Sequence, residues 1–173
     1  MRKVIWLTGI SGSGKTTLGR LVYEKFKSLC KRVEFLDGDI VRDFFENDLG
    51  YSRRERILNV KRIAFAAMLL AKNDVTVIVA NIAPYYEVRD FIRKNIPNYI
   101  QVYIKASLDS VRKRDVKGLY GNATNNMVGI DDAYDIPRNP DITVDTDRES
   151  VEESLNKILE HLLVTETANA KNS

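Results

Sequence analysis

One stretch limits the possible folds more than any other. Gly9, Ile10, Ser11, Gly12, Ser13, Gly14, Lys15 and Thr16 form a complete G-x-x-x-x-G-K-[ST] phosphate loop, directly after an apolar run at residues 4–7. Such a loop needs a buried strand before it and a helix after it. Its glycines let backbone N–H groups turn inward on phosphate oxygens, and the following helix adds the positive end of its dipole. Lys15 is expected to reach the β- and γ-phosphates of a bound nucleotide, with the Thr16 hydroxyl on Mg2+ and Thr17 closing the cradle.

The rest of the chain keeps the rhythm that this loop requires. Nearly continuous, β-branched apolar runs at residues 4–7, 33–36, 75–80 and 100–104, with a weaker one at 142–144, predict buried parallel strands. Helical periodicity covers 15–30, 40–47, 53–72, 87–95, 108–116 and 149–163. In the first helix the apolar face reads Leu18, Leu21, Val22, Phe26 and Leu29; in the long third one it reads Ile57, Val60, Ile63, Ala64, Ala67 and Leu70. The alternation predicts an α/β, three-layer P-loop NTPase-type sandwich with a parallel sheet and right-handed crossovers. A chain of 173 residues fits one domain, expected over 1–164, followed by a polar, flexible tail at 165–173. Segment 118–140 breaks the rhythm. It is rich in Gly, Pro, Asn and Asp, without a clear period, and is expected to be a mobile lid.

Composition excludes several classes of function. A formal net charge of +3 makes no demand for nucleic acid or an anionic membrane. The longest apolar stretches, at 63–71 and 75–80, are too short to span a bilayer, and no secretory leader pattern opens the chain. Cys30 is the only cysteine, so no intrachain disulfide forms and a reducing cytoplasm is the expected home. His161 is the only histidine and lies remote from every motif, which leaves no zinc-like or Ser-His-Asp cluster.

Chemistry is expected where strands end. The second strand closes in Asp37-Gly38-Asp39, which brings two carboxylates beside the phosphate loop. One would orient the metal through water and the other accept a proton from an attacking hydroxyl. Asp39 is favoured as the base and Asp37 as the metal-side group, while the same Asp-Gly turn also suits a helix N-cap; the two roles are compatible. Arg42 stands three residues after Asp39, and Asn59 three after Arg56, so each pair shares a helix face. Two guanidinium groups and an amide suit an anionic second substrate, although Arg53, Arg54, Lys61 and Arg62 make a solvated basic face an equal reading for Arg56. Arg114 and Lys117, just before the lid, are candidates to fold over phosphates. Tyr51 is a candidate base-stacking ring, with core packing as the alternative.

These residues together resemble the adenylylsulfate (APS) kinase family. Asp37-Gly38-Asp39-Ile40-Val41-Arg42 is similar to its D-G-D-x-V-R, and Asp48-Leu49-Gly50-Tyr51-Ser52 to its D-L-G-F-S. Arg56 and Asn59 match R-x-x-N, Ile82-Ala83-Pro84-Tyr85 resembles I-S-P-[FY], and Arg114 to Tyr120 matches R-D-x-K-G-L-Y. The likeness covers nearly the whole chain, about residues 4–163. It implies transfer of the γ-phosphate of ATP to the ribose 3′-hydroxyl of adenylylsulfate, with Mg2+. By position it implies that Asp39 handles the hydroxyl proton, and that Arg42, Phe45, Arg56, Asn59, Ile82 and Ala83 surround the acceptor. Tyr51 and Met127 would face the acceptor base, Lys117 would ride on the lid, and Arg114 with Thr146 would lie near the ATP base. A homodimer is implied by the resemblance alone.

The departures fall on the acceptor side. The second stacking aromatic of the family becomes Met127, the serine before the proline becomes Ala83, an aromatic two residues earlier becomes Asn81, and an arginine becomes Tyr86. Methionine stacks with less direction than phenylalanine, and losing an arginine changes which anion is held. Adenylylsulfate is therefore the default acceptor and cytidine diphosphoramidate, used in capsule modification, the alternative. A nucleotide-dependent switch is the reading from another class, disfavoured because no N-K-x-D guanine-reading string is present.

Overall fold

The computed structural model describes residues 3–29, 32–114, 128–129 and 132–170, with side chains as far as residue 163. Among the described residues five strands and six helices follow in the order β1 (Val4–Thr8), α1 (Lys15–Leu29), β2 (Val33–Asp37), α2 (Gly38–Phe44), α3 (Arg53–Lys72), β3 (Thr76–Ala80), α4 (Tyr86–Asn95), β4 (Tyr99–Lys105), α5 (Leu108–Arg114), β5 (Ile142–Asp145) and α6 (Val151–Ala170). The strands form one parallel sheet in the order β2-β3-β1-β4-β5.

The near-continuous apolarity of the central strands follows from burial on both faces. Successive side chains of β1 alternate between two cores. Val4 and Trp6 join Val77, Val79 and the inner faces of α3 and α4. Ile5 and Leu7 join Ile78, Val102, Ile104 and the inner faces of α1 and α6. The three layers expected from the sequence are thus present. Strand carboxyl ends and helix amino ends collect at one edge of the sheet, where ligands of such folds gather.

Several local expectations need correction. Leu21 and Leu29 of α1 are exposed, because Leu18, Val22 and Phe26 already span the strip that meets the sheet. The second helix begins at Gly38, two residues early, because Asp37 caps it, and it ends at Phe44, before Glu46 and Asn47 turn left-handed. The last helix continues to Ala170, past the expected end at 163 and through most of the segment assigned to the tail; no glycine or proline stops it. Cys30, and most of the expected lid at 118–140, lie outside the described residues.

Candidate active site

The phosphate loop links β1 to α1 in the manner its sequence demands. A side chain on Gly9 would overlap the Ile104 carbonyl oxygen, so only glycine lets the loop leave β1 this close to β4. Ser13 N–H donates to the Ile10 carbonyl at 3.2 Å, and Leu18 N–H donates to Gly14 at 2.9 Å, which starts the helix. The Lys15 ammonium folds onto the Ile10 carbonyl at 2.7 Å.

At the end of β2 the Asp37 carboxylate has two partners. Its Oδ2 accepts from the Thr16 hydroxyl at 3.0 Å, and its Oδ1 accepts from Asp39 N–H at 2.9 Å as the N-cap of α2. The cap and the expected metal-side group are thus the same residue. A hydroxyl and a carboxylate beside a phosphate loop are hard oxygen donors of the kind Mg2+ takes. Among the described residues no group of three or more Asp, Glu, His or Cys gathers.

A cleft of about 450 Å3 opens over this edge. Its lining includes Ser11, Gly12, Gly14, Lys15, Thr16 and Thr17 of the loop, and Asp37, Asp39, Arg42, Tyr51, Arg56, Asn59, Ile82 and Ala83. Phe45 is not on the lining; it packs edge-on against Phe44, with the Arg62 guanidinium 4.4 Å from its ring centre. Lys117 and Met127 lie outside the described residues. Arg114 and Thr146 stand together on the far side of the loop. The guanidinium donates to the Thr146 hydroxyl at 3.1 Å, and that hydroxyl donates to the Ser13 carbonyl at 3.3 Å.

Tyr51 is not a core ring: it is 53% exposed, with the guanidinium carbons of Arg42 and Arg56 at 4.7 and 5.3 Å from its centre. Arg42 also donates to the Leu49 carbonyl at 2.8 Å, and Arg56 to that of Tyr51 at 2.8 Å. Arg56 is only 8% exposed, so the solvated-face reading fails for it.

Sequence reasoning missed the other partner of Arg56. Asp132, inside the segment expected to be the lid, pairs with Arg56 Nε at 3.2 Å and accepts from the Tyr85 hydroxyl. Burial and that bond push the Tyr85 phenol up to about 12. Ala83 bends into positive φ, at 41°, with its carbonyl held by buried Arg89 and its N–H held by Asn81. Asp135 fastens the same stretch, accepting from Tyr86 N–H at 2.8 Å and donating its own N–H to Pro84 at 2.9 Å. Arg20, Asn81 and Val128 also line the cleft. Asn81 carried a signal, since it departs from the family pattern, and Asp132 stands in a run, Gly129 to Asp132, that continues the family register; Arg20 carried none at its own position.

Known proteins share this arrangement. The sequence model of a family described as adenylylsulphate kinase matches residues 1–145. An adenylyl-sulfate kinase of Deinococcus deserti is 45% identical over 164 residues, covering 92% of this chain and 91% of its own length. The structure of the Mycobacterium tuberculosis APS kinase in complex with AMPPNP and APS superposes with a TM-score of 0.86 at 34% identity, covering 93% of this chain and 97% of that one. A hexameric APS kinase from Thiobacillus denitrificans superposes with a TM-score of 0.72 at 29% identity, over 95% of this chain and 29% of that longer one. By fold, by phosphate loop and by sequence over most of its length, the chain belongs to the adenylylsulphate kinase family.

Proposed function

We propose that this protein transfers the γ-phosphoryl group of ATP to the ribose 3′-hydroxyl of adenylylsulfate. One observation carries the reading: residues of the phosphate loop and Asp39 line a single cleft together with Arg42, Arg56, Asn59 and Tyr51. A nucleotide with its phosphates on Gly9–Thr17 would direct its terminal group at a hydroxyl held by Asp39. The bond between the γ-phosphorus and the β,γ-bridging oxygen breaks, and ADP leaves with its electrons. A bond from phosphorus to the acceptor oxygen forms, and the hydroxyl proton passes to Asp39. Lys15 would follow the β- and γ-phosphates. Arg42 and Arg56 would face the acceptor's anionic group, Tyr51 its base, and Arg114 with Thr146 the ATP base. Thr16 and Asp37 are the residues that would hold Mg2+, which when bound neutralises charge on the phosphates.

A single domain working in the cytoplasm as a homodimer belongs to the same reading, and sedimentation equilibrium tests the assembly. The decisive assay follows ADP release with adenylylsulfate, with cytidine diphosphoramidate and with no acceptor. Rapid release only with adenylylsulfate is expected. Preference for the cytidine compound would replace the acceptor, and slow release indifferent to either would favour a nucleotide switch.

A further inference from the structure

Just past β3 a carboxamide enters the cleft that neither the phosphate loop nor the arginine pair uses. Asn81 is fixed on every side. Its N–H donates to the Leu7 carbonyl at 3.2 Å, and its carbonyl accepts from Trp6 Nε1 at 3.1 Å. Its side-chain Oδ1 accepts from Ala83 N–H at 3.1 Å. A flipped amide would aim a donor at that N–H, so the orientation is settled by the bond. Nδ2 is left on the other branch, against Gly38, where a β-carbon would overlap it. Among the described residues Nδ2 has no acceptor, and Asn81 lines the cleft. A rigid, unengaged donor therefore stands beside the turn that carries Asp39.

We propose that Asn81 is a specificity-determining residue for the acceptor's sugar, its Nδ2 donating to the hydroxyl next to the one that loses its proton to Asp39. The inference rests on the acceptor reading given above. A carboxylate and an amide donor side by side are complementary to a vicinal diol: one hydroxyl donates to Asp39, and its neighbour accepts from Asn81. The other groups of the cleft suit other parts of the acceptor, Tyr51 a base and the two arginines an anion. Lacking a second hydroxyl, an acceptor would leave the amide desolvated and unpaired, and the site would reject it.

The test is a cycle of two variants and two acceptors, adenylylsulfate and its 2′-deoxy analogue, with kcat/KM measured for each. Asn81→Ala removes the whole amide. Asn81→Asp keeps an oxygen for Ala83 N–H and replaces the donor by a second, charged acceptor oxygen, a charge that both acceptors meet alike. In both variants the ratio of kcat/KM for the ribose over the deoxyribose acceptor should fall about tenfold, the size of one hydrogen bond. A purely structural role would lower both acceptors alike and leave the ratio unchanged, and that result overturns the inference alone. Failure of the wild type to turn over adenylylsulfate overturns the acceptor reading and this inference with it.

Discussion

Lys15 and Asp39 line one cleft, and their surroundings differ. The Lys15 ammonium rests on the loop's own Ile10 carbonyl at 2.7 Å, a bond that a bound triphosphate replaces with stronger, charge-assisted ones. Lys15→Ala should therefore lower kcat by about a hundredfold or more, while the melting temperature stays near that of the wild type. Unchanged turnover would remove Lys15 from the transfer step. The start of α2 is capped by the Asp37 carboxylate, which takes the Asp39 N–H. Asp39→Asn should then leave the helix and the KM for ATP in place and lower kcat sharply; a wild-type kcat would contradict the proton role. The sequence showed these two residues because each sits at a fixed offset in a short motif. It did not show the contacts of Asp132 with Tyr85 and Arg56, which span 47 and 76 positions and leave no local pattern.

At the scale of elements, α3 links the cleft to the core. Val60, Ile63, Ala64 and Ala67 bury its inner stripe, while Arg56 and Asn59 near its start face the cleft. Its first turn is fixed by a capping box: Ser52 Oγ accepts from Glu55 N–H, and the Glu55 carboxylate accepts from Ser52 N–H at 3.1 Å. The hydrogen bonds from Ser52 and Gly50 hold the Glu55 carboxyl below its usual range. Ser52→Ala should cost about 1 kcal/mol in denaturant unfolding. Because Tyr51 precedes the cap, the KM for the acceptor should also rise, with the KM for ATP unchanged. No change in either stability or acceptor KM would show the cap to be idle. This helix was legible end to end, over 53–72, because cap residues and periodicity agree there. The end of α6 was not, since nothing in the sequence after residue 163 marks a stop.

Across the whole molecule, the described later part of the expected lid segment is fastened to the floor of the cleft by Asp132, Tyr134 and Asp135, which tie it to Tyr85, Thr8, Pro84 and Tyr86. Phenols are prominent in that seam, and their titration gives the fold a direction of pH dependence. Burial first, then the bond to Asp132, raises Tyr85 to about 12; burial raises Tyr134 and, on β4, Tyr99 further. In the unfolded chain all three lose their protons near the ordinary value of about 10. Between pH 10 and 12 the unfolded state therefore binds fewer protons than the native one, and stability must fall as pH rises. The contribution is complete below pH 10 and disappears as pH passes the native values. Trp6, the only tryptophan, is fully buried and bonded to Asn81, so its emission follows both the core and the acceptor floor. Urea unfolding read by Trp6 between pH 8 and 11.5 should show stability level at first and then declining. Tyr85→Phe should start less stable at pH 8, for want of the bond to Asp132, and decline less steeply above pH 10. An equally steep decline in that variant would place the alkaline sensitivity in other groups and detach it from the seam.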